Sequence, residues 1–237
     1  VRIKVLLAAF LFLVSGTFLL ALEETRELDL SASGIGSLEI KCGAGFLKVE
    51  GKESRGDISA EAEIILKGRN DEKAQDYIDE YLRLTLEKKG DTAVLHCYFD
   101  SRFSSSSWRS KVINLTVYMP ARLNLVINDS SGDMRIWGAD GTLEIEDGSG
   151  SIEVEDQGGD VQIDDGSGGI EVTSVKGSIF IKDGSGSIQI EDITGNVKID
   201  DGSGSITVRD VGGDFILLDD GSGGLSVSNV RGQVKKR

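Results

Sequence analysis

The sequence holds one histidine, one proline and two cysteines among 237 residues. A single histidine, His96, excludes a multi-histidine metal centre and leaves histidine acid–base chemistry with little to build on. Two cysteines are too few for a disulfide-dense scaffold. Basic residues are also scarce: 26 Lys and Arg stand against 40 Asp and Glu, a formal charge of -14. Such a chain avoids nucleic acid and is repelled by anionic head groups, while it stays soluble or collects cations. Long apolar runs are absent except one, Val5 to Leu22, broken only by Ser15, Gly16 and Thr17.

That run follows Arg2 and Lys4, so residues 1–21 read as a secretory signal peptide, with cleavage after Gly16 or Ala21. Its length also suits an uncleaved membrane anchor, the alternative and the only membrane contact expected. Valine at position 1 suggests a GTG start and a bacterial source. The expected location is the periplasm, the outer surface or the medium. In such a compartment Cys42 and Cys97 are expected to form a disulfide, with two buried free thiols as the alternative.

Glycine is abundant, with 31 residues, and periodic. DGSG begins at Asp147, Asp165, Asp183, Asp201 and Asp220, and a degenerate DSSG begins at Asp129. The interval is 18 residues, with one extra near Leu218. Apolar residues recur five and seven positions after each Asp, as at Ile188 and Ile190, and again at Val197 and Ile199. Each repeat divides into two nine-residue arcs, D-x-x-G-x-Φ-x-Φ-x, where Φ is apolar. The alternation makes a strand with one inward face, and the glycine closes a tight turn. Coils stacked about 4.8 Å apart bury together what none buries alone.

These features predict an all-β protein: a parallel β-solenoid of 18-residue coils, right-handed by the usual preference for parallel connections. Six coils span roughly 25–30 Å. Ser33–Lys41 and Cys42–Glu50 fit the nine-residue unit too, so a first coil precedes an insertion from about Gly51 to Lys111. Within it strands are expected near Ile58–Leu66, Leu82–Glu87 and Ala93–Phe99. A short helix over Asp71–Tyr81, capped by Asn70 or Asp71, and a Ser-rich loop over Asp100–Ser110 complete it. The division is then 1–21 leader or anchor, 22–128 first coil plus mostly-β cap, and 129–237 solenoid. Lys235, Lys236 and Arg237 put charge on the terminal edge, which discourages strand addition.

The DGSG copies, the linkers Gln157–Val161 and Val211–Phe215, the closing NVRGQV and the VYMPARLNL segment resemble a bacterial family of exported candidate adhesins, a domain of unknown function. The resemblance covers most of the chain beyond the leader. It implies surface attachment or a scaffold role and no catalytic residues.

Several side chains invite a chemical reading. The Asp row, Asp147, Asp165, Asp183, Asp201 and Asp220 with Asp129 before it, would stack into a ladder whose neighbours repel by roughly 0.9 kcal/mol even in water. Asx-type turns, each Asp accepting from following backbone N–H groups, are the expected compensation. Ca²⁺ held between coils is the alternative. The calcium nonapeptide places Asp two residues after its last glycine, where this chain has Ile152, Ile170, Ile188 and Ile206. No cofactor is therefore expected. A uniform ladder also lacks the unlike pair of carboxyls that glycoside hydrolysis requires, so the chain is not expected to be an enzyme. Trp108 and Trp137 are candidate contacts for a glycan or protein, against packing at the cap–solenoid junction. The expected function is that of an exported, non-enzymatic attachment module or scaffold with an envelope protein, surface protein or glycan as partner. A cation- or glycan-binding module is the alternative, and a carbohydrate-active enzyme comes third.

Overall fold

A computed structural model describes residues 2–7, 21–67, 72–100 and 110–236. In chain order the front part runs β1 (Arg2–Leu7), β2 (Ala21–Ser31), β3 (Ser37–Cys42), β4 (Leu47–Lys52) and β5 (Asp57–Lys67). Helix α1 (Glu72–Tyr81), β6 (Leu82–Lys89), β7 (Thr92–Phe99) and β8 (Ser110–Pro120) follow. The coils after them place two strands each: β9 (Asn124–Asp129) and β10 (Met134–Trp137), then β11 (Leu143–Asp147) and β12 (Ile152–Gln157). Next come β13 (Val161–Asp165), β14 (Gly168–Val175), β15 (Ile179–Asp183) and β16 (Gly186–Ile193). The stack ends with β17 (Val197–Asp201), β18 (Gly204–Val211), β19 (Phe215–Asp219), β20 (Leu225–Val230) and β21 (Val234–Lys236).

The coils build two facing parallel sheets, a β-solenoid of about six turns. β4, β10, β12, β14, β16, β18 and β20 lie side by side in one sheet; β3, β9, β11, β13, β15, β17, β19 and β21 lie in the other. Register is in phase with the 18-residue period: Ile170 pairs with Ile188 and Ile188 with Ile206. Each sheet sends two apolar rows inward. Ile188, Ile190, Val197 and Ile199 are all essentially inaccessible to solvent. A one-residue slip would turn those rows to water, so the burial itself locks the register.

The glycines at the DGSG corner are required by close approach. Gly168, Gly186 and Gly204 share φ = 150°. A Cβ on Gly186 would run into the carbonyl oxygen of Gly168 in the coil before it.

The first coil is where the nine-residue unit locates it. β3 stacks on β9 and β4 on β10, so Leu47 meets Met134 across a long excursion of chain. The excursion extends both sheets. β8 adds parallel to β4, then β5 and β2 add antiparallel, while β7 adds parallel to β3 and β6 antiparallel to β7. The strands and helix expected inside the insertion are all present; its Asn70 and Asp71 cap and most of its Ser-rich loop lie outside the described residues. Helix α1 buries Ala74, Tyr77 and Ile78, spaced to share one face. Arg2–Leu7, within the residues 1–21 read above as a leader or anchor, pairs antiparallel with β2. Among the described residues no helix is long and apolar enough to cross a membrane.

Candidate functional site

The Asp ladder forms, and it faces inward. Along β15 the inward places are Ile179, Ile181 and Asp183, and the same alternation holds on β11, β13 and β17. Asp129, Asp147, Asp165, Asp183 and Asp201 are all buried, the last at 1% exposure. Each Asp thus takes the third inward place of its strand and closes one corner of the core. The expected turn bonds are present at Asp165, Asp183 and Asp201, whose Oδ1 accepts from the backbone N–H of Ser167, Ser185 and Ser203 at 3.0–3.1 Å, while Oδ1 of Asp147 has no hydrogen-bond partner among the described residues. Asp129 accepts from Ser130 at 2.8 Å.

The second oxygen of these residues is different. Oδ2 of Asp129, Asp147, Asp165, Asp183 and Asp201 is buried with no hydrogen-bond partner among the described residues. Burial, reinforced by like charge on neighbouring coils, pushes Asp165 and Asp183 up to about 6. Burial likewise raises Asp129 to about 6, with Asp147 adding to it. Asp147 and Asp201 move in the same direction, again chiefly through burial. Among the described residues no group of His, Cys, Asp or Glu is arranged to hold a metal ion.

In the last coil the turn is reassigned. The extra residue falls between Ile199 and Asp200 of the register, so Asp200 pairs with Asp219. Asp219 then accepts from Gly221 N–H at 3.0 Å, the bond expected of Asp220.

The two nine-residue arcs are not equivalent at their corners. Asp156, Ser174, Asp192, Asp210 and Asn229 have φ of 52–62°, the left-handed region that Asp and Asn tolerate best. That twist turns Asp192 outward and Ile193 inward, whereas Asp183 stays extended and faces in. The left-handed corners line a groove of about 1120 Å³ along the stack, with Asp156, Asp192 and Asp210 beside Lys176 and Arg231.

A further ladder escaped the sequence reading. Asp160 accepts from Ser178 N–H at 2.7 Å, Asn196 from Asp214 at 2.8 Å and Asp214 from Gln233 at 2.8 Å, each bond joining successive coils. The bond from Gln233 holds Asp214 below the usual carboxylate range, with Lys235 assisting. The signal was available: Asn124, Thr142, Asp160, Ser178, Asn196 and Asp214, all with a side-chain acceptor, recur every 18 residues.

The remaining candidates separate. Trp137 lies on the outer face of β10, half-buried between Lys48, 4.9 Å from its ring, and Arg135. Lys48 belongs to β4 of the first coil, so the ring lies beside that coil. Trp108 lies outside the described residues. His96 points out of β7 against Tyr98, and burial lowers its pKa. Cys42 and Cys97 are free thiols in this structure, in register with one another on β3 and β7. An aromatic that the sequence reading passed over, Phe180, stands on the outer face of β15 with Lys198 4.9 Å above its ring. It lies in a shallow depression of about 560 Å³ bounded by Gln162 and Ile216.

Residues 35–235, from the first coil to the end of the stack, match the profile of the Toastrack DUF4097 family. The chain belongs to that family. Its domain is one of unknown function, in accord with the resemblance carried by the repeats. No curated protein matches the Toastrack chain significantly. A candidate cell adhesion protein from Clostridium sporogenes is 13% identical over 91% of this chain and 100% of its own, with a TM-score of 0.41. A candidate adhesin from Bacteroides fragilis is 13% identical over 90% and 97%, with a TM-score of 0.38. A candidate lipid binding protein from Parabacteroides distasonis is 16% identical over 91% and 96%, also at 0.38.

Proposed function

We propose that this Toastrack chain is an exported, non-enzymatic attachment module or scaffold of a bacterial envelope. One observation carries the reading: inward positions repeat from coil to coil, while one outward row of the same sheet changes in chemistry at every coil. On one outer face the row runs Glu144, Gln162, Phe180, Lys198, Ile216, above an inward row of Leu143, Val161, Ile179, Val197, Phe215. A rigid frame is thus held constant while its surface is individual, the division of labour expected of a recognition surface on a repeat scaffold. The partner class is an envelope protein, surface protein or glycan.

Glycan binding stands as the second reading, and Phe180 favours it. A half-exposed ring flanked by Gln162 and Lys198 offers a sugar a stacking face and polar neighbours. Fractionation of the native bacterium tests the main reading: recovery with the envelope or medium is expected, and confinement to the cytoplasm refutes it. Turnover of any polysaccharide would refute the non-enzymatic assignment. Binding to a glycan array that Phe180→Ala abolishes, with the melting temperature retained, would establish the second reading.

A further inference from the structure

Cys42 and Cys97 occupy the same column as the Asp ladder. Cys42 begins the nine-residue unit of the first coil, the place that Asp fills in later coils. Register carries this through: Lys41 pairs with Asn128, so Cys42 stands at the level of Asp129, which pairs with Asp147. On the other side Cys42 pairs with Cys97, and Leu38 and Ile40 pair with Ala93 and Leu95 on the same inward face. The column therefore reads Cys97, Cys42, Asp129, Asp147 and onward down the stack.

Register partners on adjacent parallel strands have side chains side by side, with Cα atoms about 4.8 Å apart, inside the 4.4–6.8 Å range that disulfides span. The chain has no third cysteine to compete. Cys97 is only 1% exposed, so it can reach no thiol but Cys42. We propose that Cys42 and Cys97 form a disulfide that latches β7 of the inserted cap to the first solenoid coil. An organic disulfide is the oxidant. Two S–H bonds break and one S–S bond forms between Sγ atoms; the oxidant's S–S bond takes up the two electrons and both protons, leaving as two thiols.

The surroundings set when this happens. Burial pushes the Cys97 thiol up to about 12 and the Cys42 thiol higher still, with Asp129 adding to both. Exchange needs a thiolate, so the folded dithiol reacts slowly. The bond forms as the chain folds, before the column closes. It then cross-links a segment of about 55 residues, from 42 to 97, and raises the melting temperature by about 10 °C.

The test uses the full chain, refolded with oxidised glutathione and compared with the same material after reduction. Expected are a mass lower by two hydrogens, a proteolytic fragment joining Cys42 to Cys97, and the stated melting shift on reduction. The double variant Cys42→Ala/Cys97→Ala should melt at one temperature in both conditions. If that variant does not fold, the wild-type mass and fragment map still decide. Two alkylatable cysteines after oxidative refolding, glutathione adducts in place of the cross-link, or a cross-link without a melting shift would each overturn the latch.

Discussion

Replacing Asp183 with Asn should make the protein more stable at neutral pH. Asp183 lies in the middle of the buried column, 3% exposed, with Asp165 and Asp201 as register neighbours. Its carboxyl is pushed up from an ordinary 3.8 to about 6, because burial disfavours the charged form. A raised acid binds its proton more readily folded than unfolded. Its contribution is therefore most favourable below about pH 4, declines as pH rises through about 6, and stays unfavourable above. The full shift corresponds to about 3 kcal/mol; solvent reaching the corner reduces this to about 1–2 kcal/mol. Asn keeps the acceptor for Ser185 N–H and replaces the unpartnered anionic oxygen with a donor for a neighbouring carboxylate. The melting temperature of Asp183→Asn should exceed that of wild type by about 3–6 °C at pH 7.5, and the gap should narrow as pH falls through about 6 and close below about pH 4. Wild-type melting alone would not decide this, since acid also relieves the repulsion of a chain at -14. The difference between variant and wild type isolates the column. A variant that melts lower at pH 7.5, or a gap independent of pH, would refute it.

Other perturbations probe the frame. Gly186→Ala should cost several kcal/mol, because φ = 150° and the Gly168 carbonyl both oppose a Cβ; a urea midpoint within error of wild type would contradict the close stacking. Ile188→Asp places an unpaired charge at a fully buried site and should abolish cooperative unfolding by circular dichroism, and a well-folded variant would refute the inward row. In the last coil, Asp219→Ala should lower the melting temperature more than Asp220→Ala, by an amount near the 1 kcal/mol of one turn bond; the reverse order would return the turn to Asp220. The link from Asp214 to Gln233 should weaken in acid: its lowered pKa gives a contribution present above pH 3.8 and lost as pH falls through the folded value, readable as a fall in the protection factor of the Gln233 amide, its exchange rate divided into the intrinsic rate at each pH.

Much of this architecture could be read from residue order because the solenoid is nearly one-dimensional. An 18-residue period with two alternating apolar runs has one efficient burial, so strand positions, inward rows and turn glycines follow from spacing alone. The first coil was equally legible, since SGIGSLEIK and CGAGFLKVE keep the unit despite the insertion after them. Strands within the insertion were visible too, but not their partners. β5 pairs with both β2 and β8, and β7 with β3, through contacts that no local pattern encodes.

The sequence by itself determined the repeat, its register and the turn bonds of Asp165, Asp183 and Asp201, but not the transfer of the last turn bond from Asp220 to Asp219. Only the tertiary structure decided which way each Asp points. Asp183 and Asp192 open two similar nine-residue arcs, yet one is buried and the other exposed, because left-handed backbone at Asp192 turns its side chain out. The stack likewise decided that the row would be an unpaired anionic column ending in two thiols. Side-chain type is a local property, but desolvation and like-charge proximity arise only when coils lie on one another.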